Sequence, residues 1–255
     1  MAESVVFKWN PDEFQESLDN CPKDDGIKLA LSFLPDKSWK ILEAGCGNGR
    51  VVKYLHHLGY RRICGIEVSQ ETVQWINNHS PELQITAADI LQMPFEKESF
   101  DAILSFGVIE HFPAGPKAPL AALRNALKEN GLAVITVPSY NILRKIKNKW
   151  RNKEPRDGQD GLFHVFPSRG PFFEYRFTPK EFVTACRESG FHILRSIPIA
   201  HADGLYHEIG RPWIDFKNGK FKYRLPGLLL NAAFSKIPFF HNHMHACVLL
   251  KKTAT

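Results

Sequence analysis

Short apolar runs alternate with amphipathic segments over residues 39–138, and this alternation predicts parallel strands separated by helices. The apolar runs include ILEA, RICGIEV and FDAILSF. A fifth unit, LRNALKENGLAVITVPS, predicts a helix that ends at Gly131 and a strand that ends at Pro138. Strands and helices in this order indicate an α/β fold with a doubly wound sheet.

The same pattern extends to both ends of the chain. Apolar positions at helical spacing predict a helical section over residues 7–34. Thr178 is a residue type that caps helices and Pro179 suits the first turn, so a helix is expected over 178–189. The run FHILRSIPI predicts the next strand, and residues 245–251 predict the last one.

The stretch ILEAGCGNGR, residues 41–50, joins the first strand to a helix and carries three glycines at alternate positions. Glycines let the backbone turn tightly and let a ligand lie against the main chain. The phosphate-binding loop of nucleotide hydrolases needs Lys and then Ser or Thr after its last glycine, whereas Arg50 and Val51 follow Gly49. The dinucleotide fingerprint needs its third glycine where Arg50 stands. The spacing therefore favours a small-molecule cofactor of another kind.

Acidic residues surround this loop in a regular order. Glu43 stands two residues before the first glycine, Glu67 ends the second strand in GIEVS, and Asp89 follows the third strand in ITAADIL. Together with FDAILSFGVIEHF, these landmarks resemble those of the class I S-adenosylmethionine-dependent methyltransferases over residues 39–138. The chain also resembles the group that includes the ubiquinone and menaquinone biosynthesis methyltransferases.

The resemblance implies which residues hold S-adenosylmethionine. In the family, the acid that ends the second strand binds both ribose hydroxyls, since one carboxylate can accept two hydrogen bonds. The acid after the third strand lies near the adenine amino group. The cofactor-binding residues implied in this way are Glu43, Gly45, Cys46, Gly47, Gly49, Glu67, Val68, Asp89, Ile90 and Phe106.

The resemblance also implies an architecture. We expect a Rossmann-like doubly wound sheet of seven strands, in which the reversed final strand inserts antiparallel beside the sixth. Residues 1–255 would form a single methyltransferase domain, with an N-terminal helical lid over 1–38 and the cofactor-binding core over 39–138. Two insertions, 139–175 and 200–240, would lie on the substrate side of the sheet.

Composition is compatible with this fold and indicates its setting. The 255 residues suit one α/β domain, and an apolar content of 44% can supply a core. The chain begins without a basic segment and long apolar region, and no run reaches the roughly 18 apolar residues of a spanning helix. The five cysteines are scattered without a CxxC pair, which favours reduced thiols. These features predict a cytoplasmic enzyme.

The first insertion opens with NILRKIKNKWRNKEPR, which has seven basic side chains and one acid, Glu154. This run is either a solvated face or a surface for an acidic substrate or an anionic membrane, which makes peripheral membrane contact one hypothesis. The net charge of +6 is modest, and no stacking-aromatic platform accompanies the run. Nucleic acid is therefore not favoured as a partner.

The remainder of the first insertion is rich in aromatic residues. Phe172, Phe173 and Phe177 are expected to cover the rim of the sheet as core, with the roof of a pocket as the alternative. His164 and Tyr175 stay open as substrate contacts.

The second insertion contains an apolar run near residues 225–237 that is too short to span a bilayer. A buried helix that caps the substrate cavity is the favoured interpretation, and an interfacial helix is the alternative. His241, His243 and His245 follow at alternate positions, so in a strand they would share one face and offer metal ligands. No acid lies near them in the sequence, and we predict no metal.

The chemistry follows from the cofactor. Methyl transfer from a sulfonium is an in-line displacement in which the protein mainly aligns the reactants and excludes water. An acceptor hydroxyl, amine or activated carbon can also need a base. His111 in VIEHF follows the fourth strand and is the candidate, because a pKa of about 6.5 suits proton abstraction at neutral pH. The alternative is that Glu110 and His111 only support the loop; His164, His201 and Tyr206 are further base candidates.

We therefore predict an S-adenosylmethionine-dependent methyltransferase that acts on a small-molecule or lipid-like acceptor, with O-, N- and C-methylation left open and no oligomeric state implied. A protein or RNA methyltransferase is one alternative, although VIEHF stands where an Asn/Asp-Pro-Pro-Tyr/Phe tetrad would support it. A non-catalytic S-adenosylmethionine-binding module is another, against which stand the intact acids and glycines. The glycine spacing disfavours a nucleotide-dependent oxidoreductase.

Overall fold

A seven-stranded sheet forms the centre of the structure, a computed structural model that describes residues 9–150, 156–157, 164–166, 172–209, 213–217 and 220–252. The strands of the described residues are β1 (Ile41–Ala44), β2 (Ile63–Glu67), β3 (Gln84–Ala87), β4 (Phe100–Phe106), β5 (Leu127–Pro138), β6 (Arg156–Asp157), β7 (His164–Phe166), β8 (Glu174–Arg176), β9 (His192–Ile199), β10 (Ile214–Lys217), β11 (Lys220–Tyr223) and β12 (Met244–Leu250).

The central sheet has the order β3-β2-β1-β4-β5-β12-β9. Its first five strands pair in parallel, and β12 runs antiparallel to both β5 and β9. The strand order reverses direction at β1, which in open α/β sheets is where ligands bind beyond the carboxyl ends of the strands. The predicted α/β fold with a reversed final strand is confirmed. Strands β6, β7 and β8 form a separate three-stranded sheet, and β10 pairs with β11.

Helices cover both faces of this sheet. Those of the described residues are α1 (Phe14–Asn20), α2 (Asp25–Leu31), α3 (Arg50–His57), α4 (Gln70–His79), α5 (Lys117–Ala126), α6 (Ile142–Trp150), α7 (Pro179–Glu188), α8 (His201–Glu208) and α9 (Leu225–Phe234). Buried side chains of α2, α3 and α4 form one core cluster with the sheet, and those of α5 and α7 form another. Strand β4 serves both, since Ile103 belongs to one cluster and Leu104 to the other. Burial on both faces is the reason that this strand is almost continuously apolar.

The helix that the sequence predicts up to Gly131 ends earlier, at Ala126. The chain joins the sheet immediately afterwards, because Ser99 N donates to Ala126 O (2.9 Å) and Leu127 pairs with Phe100. Gly131 lies inside β5, where a Cβ would come within 2.9 Å of the Lys128 carbonyl oxygen. Gly131 therefore marks a close backbone approach within a strand and not the end of a helix.

The prediction of a buried helix over residues 225–237 is wrong. Helix α9 occupies part of this segment, and its only buried residue is Gly227, which lies against the Trp213 carbonyl. Leu225, Leu228 and Leu229 are exposed. None of the helices among the described residues combines the length and apolar character that crossing a bilayer requires.

The three alternating histidines do not share a strand face, because β12 begins only at Met244. His245 is inside the strand and hydrogen-bonds Ser196 Oγ at 2.8 Å. His241 lies against His201, with ring centroids 5.1 Å apart, whereas His243 stacks on His207 at 4.7 Å. Each imidazole therefore has a different neighbour.

Candidate functional site

The glycine loop is held tightly between β1 and α3. Gly45 N and Cys46 N both donate to the carbonyl of Ile66 on β2, at 2.9 and 2.8 Å. Gly45 has φ +79°, and a Cβ there would come within 2.6 Å of the Val108 side chain. Glycine is thus required at this position both by the backbone conformation and by the close approach of the loop after β4.

Glu67, at the end of β2, fastens the loop and faces a cavity. Its Oε2 accepts a hydrogen bond from Gly47 N, and its Oε1 accepts one from Ser69 N, both at 3.0 Å. A carboxylate has about four acceptor positions, so two backbone bonds leave capacity for two more donors. The same side chain could therefore fix the loop and accept a pair of ligand hydroxyls.

The cavity at the carboxyl ends of β1, β2 and β4 has a volume of about 290 Å³. It brings together most of the residues that the sequence predicts for the site, namely Gly45, Glu67, Val68, Asp89, Ile90, Phe106 and His111. It is completed by Trp9, Ala88, Gly107, Val108, Phe112, Phe173 and Glu174. Aliphatic and aromatic walls with a few polar groups are typical of a small-molecule site.

Four of the predicted cofactor residues do not line this cavity. Glu43 is buried beneath the loop, where loss of solvation raises the pKa of its carboxyl to about 8 and favours the protonated form at pH 7. Cys46 is buried against Gly65 of β2. Gly47 lies under the ring of Trp9, and Gly49 precedes α3 with φ +78°. These residues shape the loop without lining the cavity themselves.

The wall residues missed by sequence reasoning come from distant parts of the chain. Trp9 precedes the first helical turn of the described residues, and its position close to Gly47 has no local sequence signal. The sequence predicts Phe173 in the core, but Phe173 lines the cavity; Phe177 is fully buried in the core as predicted. Glu174 follows Phe173 and accepts a hydrogen bond from Arg176 Nε at 2.7 Å.

His111 is held at the edge of the cavity in one orientation. Its Nδ1 hydrogen-bonds the Phe173 carbonyl oxygen at 2.7 Å. Burial lowers the pKa of His111 below its ordinary value, so the ring is neutral at pH 7. Because a carbonyl oxygen only accepts, Nδ1 carries the hydrogen and the lone pair is on Nε2. Nε2 lies 3.9 Å from Oε1 of Glu110, whose pKa burial raises well above its usual range.

The other candidate groups do not reach this cavity within the described residues. Tyr175 is buried and donates its hydroxyl hydrogen to the Pro113 carbonyl at 2.7 Å. Tyr206 packs on Phe216 and Phe221, and His201 lies against His241. The side chain of His164 lies outside the part of the chain that the structure describes.

A second depression, of about 330 Å³, meets the first at Phe106 and Gly107. Asp24, Asp25 and Asp203 line it, and Arg50 pairs with Asp24 at 2.9 Å. Burial, and secondarily the charges of Asp24 and Asp25, raise the pKa of Asp203 to about 6. The end of β4 therefore lies between a mainly apolar cavity and an acidic depression.

The first cavity fits S-adenosylmethionine. Val68 and Ile90 offer apolar walls for a purine ring, and Glu67 offers acceptors for ribose hydroxyls. Gly45 lets the loop after β4 approach the main chain at the cavity wall, and Asp89 adds a carboxylate to the lining. Among the described residues no group of three or more His, Cys, Asp or Glu is arranged to hold a metal ion.

Fold and cavity resemble those of the class I S-adenosylmethionine-dependent methyltransferases, and comparison with known proteins supports this likeness. Residues 42–135 match the model of a methyltransferase domain. A methyltransferase structure from Methanosarcina mazei matches 88% of this chain and 98% of its own with a TM-score of 0.63 at 13% identity. The Burkholderia thailandensis 1,6-didemethyltoxoflavin-N1-methyltransferase, solved with S-adenosylhomocysteine, covers 98% of this chain and 94% of its own at a TM-score of 0.56 and 14% identity.

Two sequence relatives match about a third of the chain. An eEF1A lysine and N-terminal methyltransferase of Danio rerio is 30% identical over 86 residues, which are 32% of this chain and 12% of that protein. A probable S-adenosylmethionine-dependent methyltransferase of Mycolicibacterium smegmatis is 26% identical over 99 residues, 39% of this chain and 38% of that protein. The chain thus spans well under half the length of these two relatives.

Proposed function

We propose that the chain transfers a methyl group from S-adenosylmethionine to a small-molecule or lipid-like acceptor, such as a quinone-like or lipid-linked compound. The observation that carries this proposal is the continuity of the cavity. One cavity is lined both by Glu67 and Asp89 and by His111, Glu174 and the aromatic side chains of Phe112 and Phe173. An apolar, aromatic lining suits a flat or lipid-like acceptor.

The residues of the donor side would have distinct roles. Glu67 would accept the ribose hydroxyls, Asp89 would face the adenine, and Val68 and Ile90 would flank the ring. Bound S-adenosylmethionine supplies an electrophilic methyl group whose transfer leaves a neutral thioether. Phe106 and the glycine loop would then limit the position of that group, since correct alignment supplies most of the rate in such a displacement.

His111 would act as the general base for the acceptor. The Phe173 carbonyl fixes the tautomer, so that the Nε2 lone pair can take a proton from an acceptor hydroxyl or amine. The lowered pKa of His111 keeps the base neutral throughout the physiological range. Turnover should fall only as the pH drops through this pKa, below about 6.5.

The acceptor can be found with purified protein, methyl-labelled S-adenosylmethionine and a cell extract, followed by mass spectrometry of the labelled product. We expect the label in a low-mass or lipid fraction. Label recovered in protein or nucleic acid, or in no fraction although the protein binds S-adenosylhomocysteine, would refute the proposed acceptor class.

The role of His111 is tested separately once an acceptor is known. His111→Ala should lower turnover by about 10²- to 10⁴-fold and leave the affinity for S-adenosylhomocysteine nearly unchanged. The exposed His57 provides the control, since His57→Ala should retain wild-type turnover. Equal turnover of the His111 variant and wild type would remove this residue from catalysis.

A further inference from the structure

Helix α6 exposes an apolar ridge within a basic surface. Ile142, Ile146 and Trp150 recur every fourth residue, which places them on one side of the helix, and all three are exposed, Trp150 by 87%. Lys145 and Lys149 are exposed on the same side. The opposite side is anchored to the protein, so the exposure of the ridge is a property of the folded state.

The anchoring contacts of α6 are charged and mostly buried. Arg144 is 4% exposed, forms an ion pair with Glu208 of α8 and donates to the Ser139 carbonyl. Lys147 pairs with the other carboxylate oxygen of Glu208 at 2.9 Å. These contacts fix the rotation of the helix about its axis, and the apolar ridge therefore faces away from the core.

Helix α9 adds a second exposed apolar surface. Its sequence, LPGLLLNAAF, carries no charged residue. Leu225, Leu228 and Leu229 are 73%, 55% and 63% exposed, respectively. Isolated exposed leucines are ordinary, whereas three on two turns of one uncharged helix form a contiguous patch that marks an interaction surface.

The segment after α9 connects the two surfaces. Ile142 N and Leu143 N at the start of α6 donate to the carbonyls of Phe239 and Phe240, at 3.1 and 2.9 Å. The ring of Phe240 in turn packs on Phe234 at the end of α9, with centroids 4.6 Å apart. The start of α6 and the end of α9 are thereby neighbours. We call the exposed residues Ile142, Ile146, Trp150, Leu225, Leu228 and Leu229 the docking face.

The charges around the docking face are predominantly positive. Helix α6 has no acidic residue, and Lys145 and Lys149 flank its ridge. Lys222, Arg224 and Lys236 flank α9 and are exposed. Among the described residues, the acids that form ion pairs with these elements are Glu208, which is engaged by α6, and Asp215, which lies 3.9 Å from Arg224.

We propose that the docking face binds the surface of an anionic lipid bilayer. Exposed leucine, isoleucine and tryptophan side chains can enter the boundary between headgroups and acyl chains, while the surrounding lysines interact with acidic headgroups. The uncharged face of α9 and the lysine-flanked ridge of α6 supply these two contributions together. The protein would thus bind the membrane peripherally, and this binding does not depend on the identity of the methyl acceptor.

Flotation of the purified full chain with vesicles tests the proposal. Vesicles of phosphatidylcholine and phosphatidylglycerol in equal parts should carry the protein upward, and vesicles of phosphatidylcholine alone should carry much less. High salt should reduce the bound fraction, because it screens the attraction between lysines and headgroups. Failure of the wild type to float with the anionic vesicles at low salt would overturn the proposal.

Paired variants separate the apolar and charged contributions. Leu228→Ser with Leu229→Ser should weaken partitioning on the order of a hundredfold, about tenfold for each leucine withdrawn from the lipid. Lys145→Glu with Lys149→Glu should weaken partitioning to anionic vesicles by at least about fivefold per residue. The matched controls are Leu194→Ser, which replaces a leucine exposed on β9, and Lys97→Glu, which replaces an exposed lysine on another surface.

Both control variants, Lys97→Glu and Leu194→Ser, should float with anionic vesicles like the wild type. Thermal melting should be similar for all variants, because every substituted side chain is exposed. Equal flotation of the leucine pair and the wild type would overturn the proposal. A second outcome would also overturn it: the wild type is a dimer in sedimentation equilibrium, and the leucine pair makes it monomeric while vesicle binding persists. The docking face would then be covered by a second copy of the chain.

Discussion

Acidification should destabilise the protein through His243, which is held neutral in the folded state. Its Nδ1 accepts a hydrogen bond from Arg144 Nη2 at 2.9 Å, and its ring stacks on His207 at 4.7 Å. A proton on Nδ1 would face the Arg144 guanidinium directly. Burial is the largest cause of the shift, and the charges of Arg144, His207 and Arg176 add to it, so that the pKa of His243 falls to about 3.

The magnitude follows from proton linkage. In the unfolded chain a histidine has a pKa of about 6.5, so the unfolded state binds more protons between pH 6.5 and pH 3 and stability rises with pH in that window. Through this residue alone, the free energy of unfolding should be about 2 kcal/mol lower at pH 5 than at pH 8. Above pH 6.5 His243 causes no loss of stability, and below pH 3 the loss approaches about 5 kcal/mol.

The assay is urea unfolding followed by circular dichroism at pH 8 and pH 5. His243→Asn is the informative variant, because its Oδ1 can accept the hydrogen bond from Arg144 and does not titrate. Between the two pH values, wild type should lose about 2 kcal/mol more unfolding free energy than this variant. His57→Asn, at an exposed histidine, should retain the wild-type loss. An identical loss in wild type and His243→Asn would refute the linkage to His243.

Three further predictions concern the methyl donor cavity, each measured by calorimetric titration with S-adenosylhomocysteine. Glu67→Ala removes the acceptor that holds Gly47 N and faces the cavity, so affinity should fall by about 10- to 100-fold, the value of one hydrogen bond to a charged group; wild-type affinity would contradict this role. Gly45→Val should abolish binding and lower the melting temperature, because φ is +79° and a Cβ would lie 2.6 Å from Val108; retained binding would show that the loop tolerates a side chain. Trp9→Ala should weaken binding several-fold while barely changing the melting temperature, since Trp9 is 45% exposed; unchanged affinity would remove Trp9 from the wall.

Several residues that line the cavity at the strand ends could be predicted because their signals are local. Gly45 must follow β1 immediately, and Glu67 and Asp89 stand at or just after the ends of β2 and β3, so their order along the chain fixes their place at one edge of the sheet. Each position depends on a strand end and a turn, which short sequence patterns describe. Glu43 and Cys46 have equally local signals, yet they lie behind the loop, because residue spacing does not specify which side of a turn a side chain occupies.

The acceptor side and the docking face could not be predicted in this way. His111 and Phe173 are 62 residues apart, and their hydrogen bond depends on how the first insertion returns to the end of β4. The apolar run of α9 has the composition of a buried helix, and only its position against α8 and β11 shows that the leucines point outward. Apolar composition predicts burial against something, and the partner need not be the same chain.

The contact between His111 and Phe173 couples two properties of the proposed acceptor site. Phe173 contributes its ring to the cavity wall and its carbonyl to His111 Nδ1. The aromatic end and the tautomer of the base therefore depend on one short backbone segment, immediately before β8. Any change that moves this segment alters the shape offered to the acceptor and the position of the Nε2 lone pair together. A donor side built on the sheet and an acceptor side built on an insertion can thus vary independently, which explains how the cofactor core can be shared by methyltransferases with unlike acceptors.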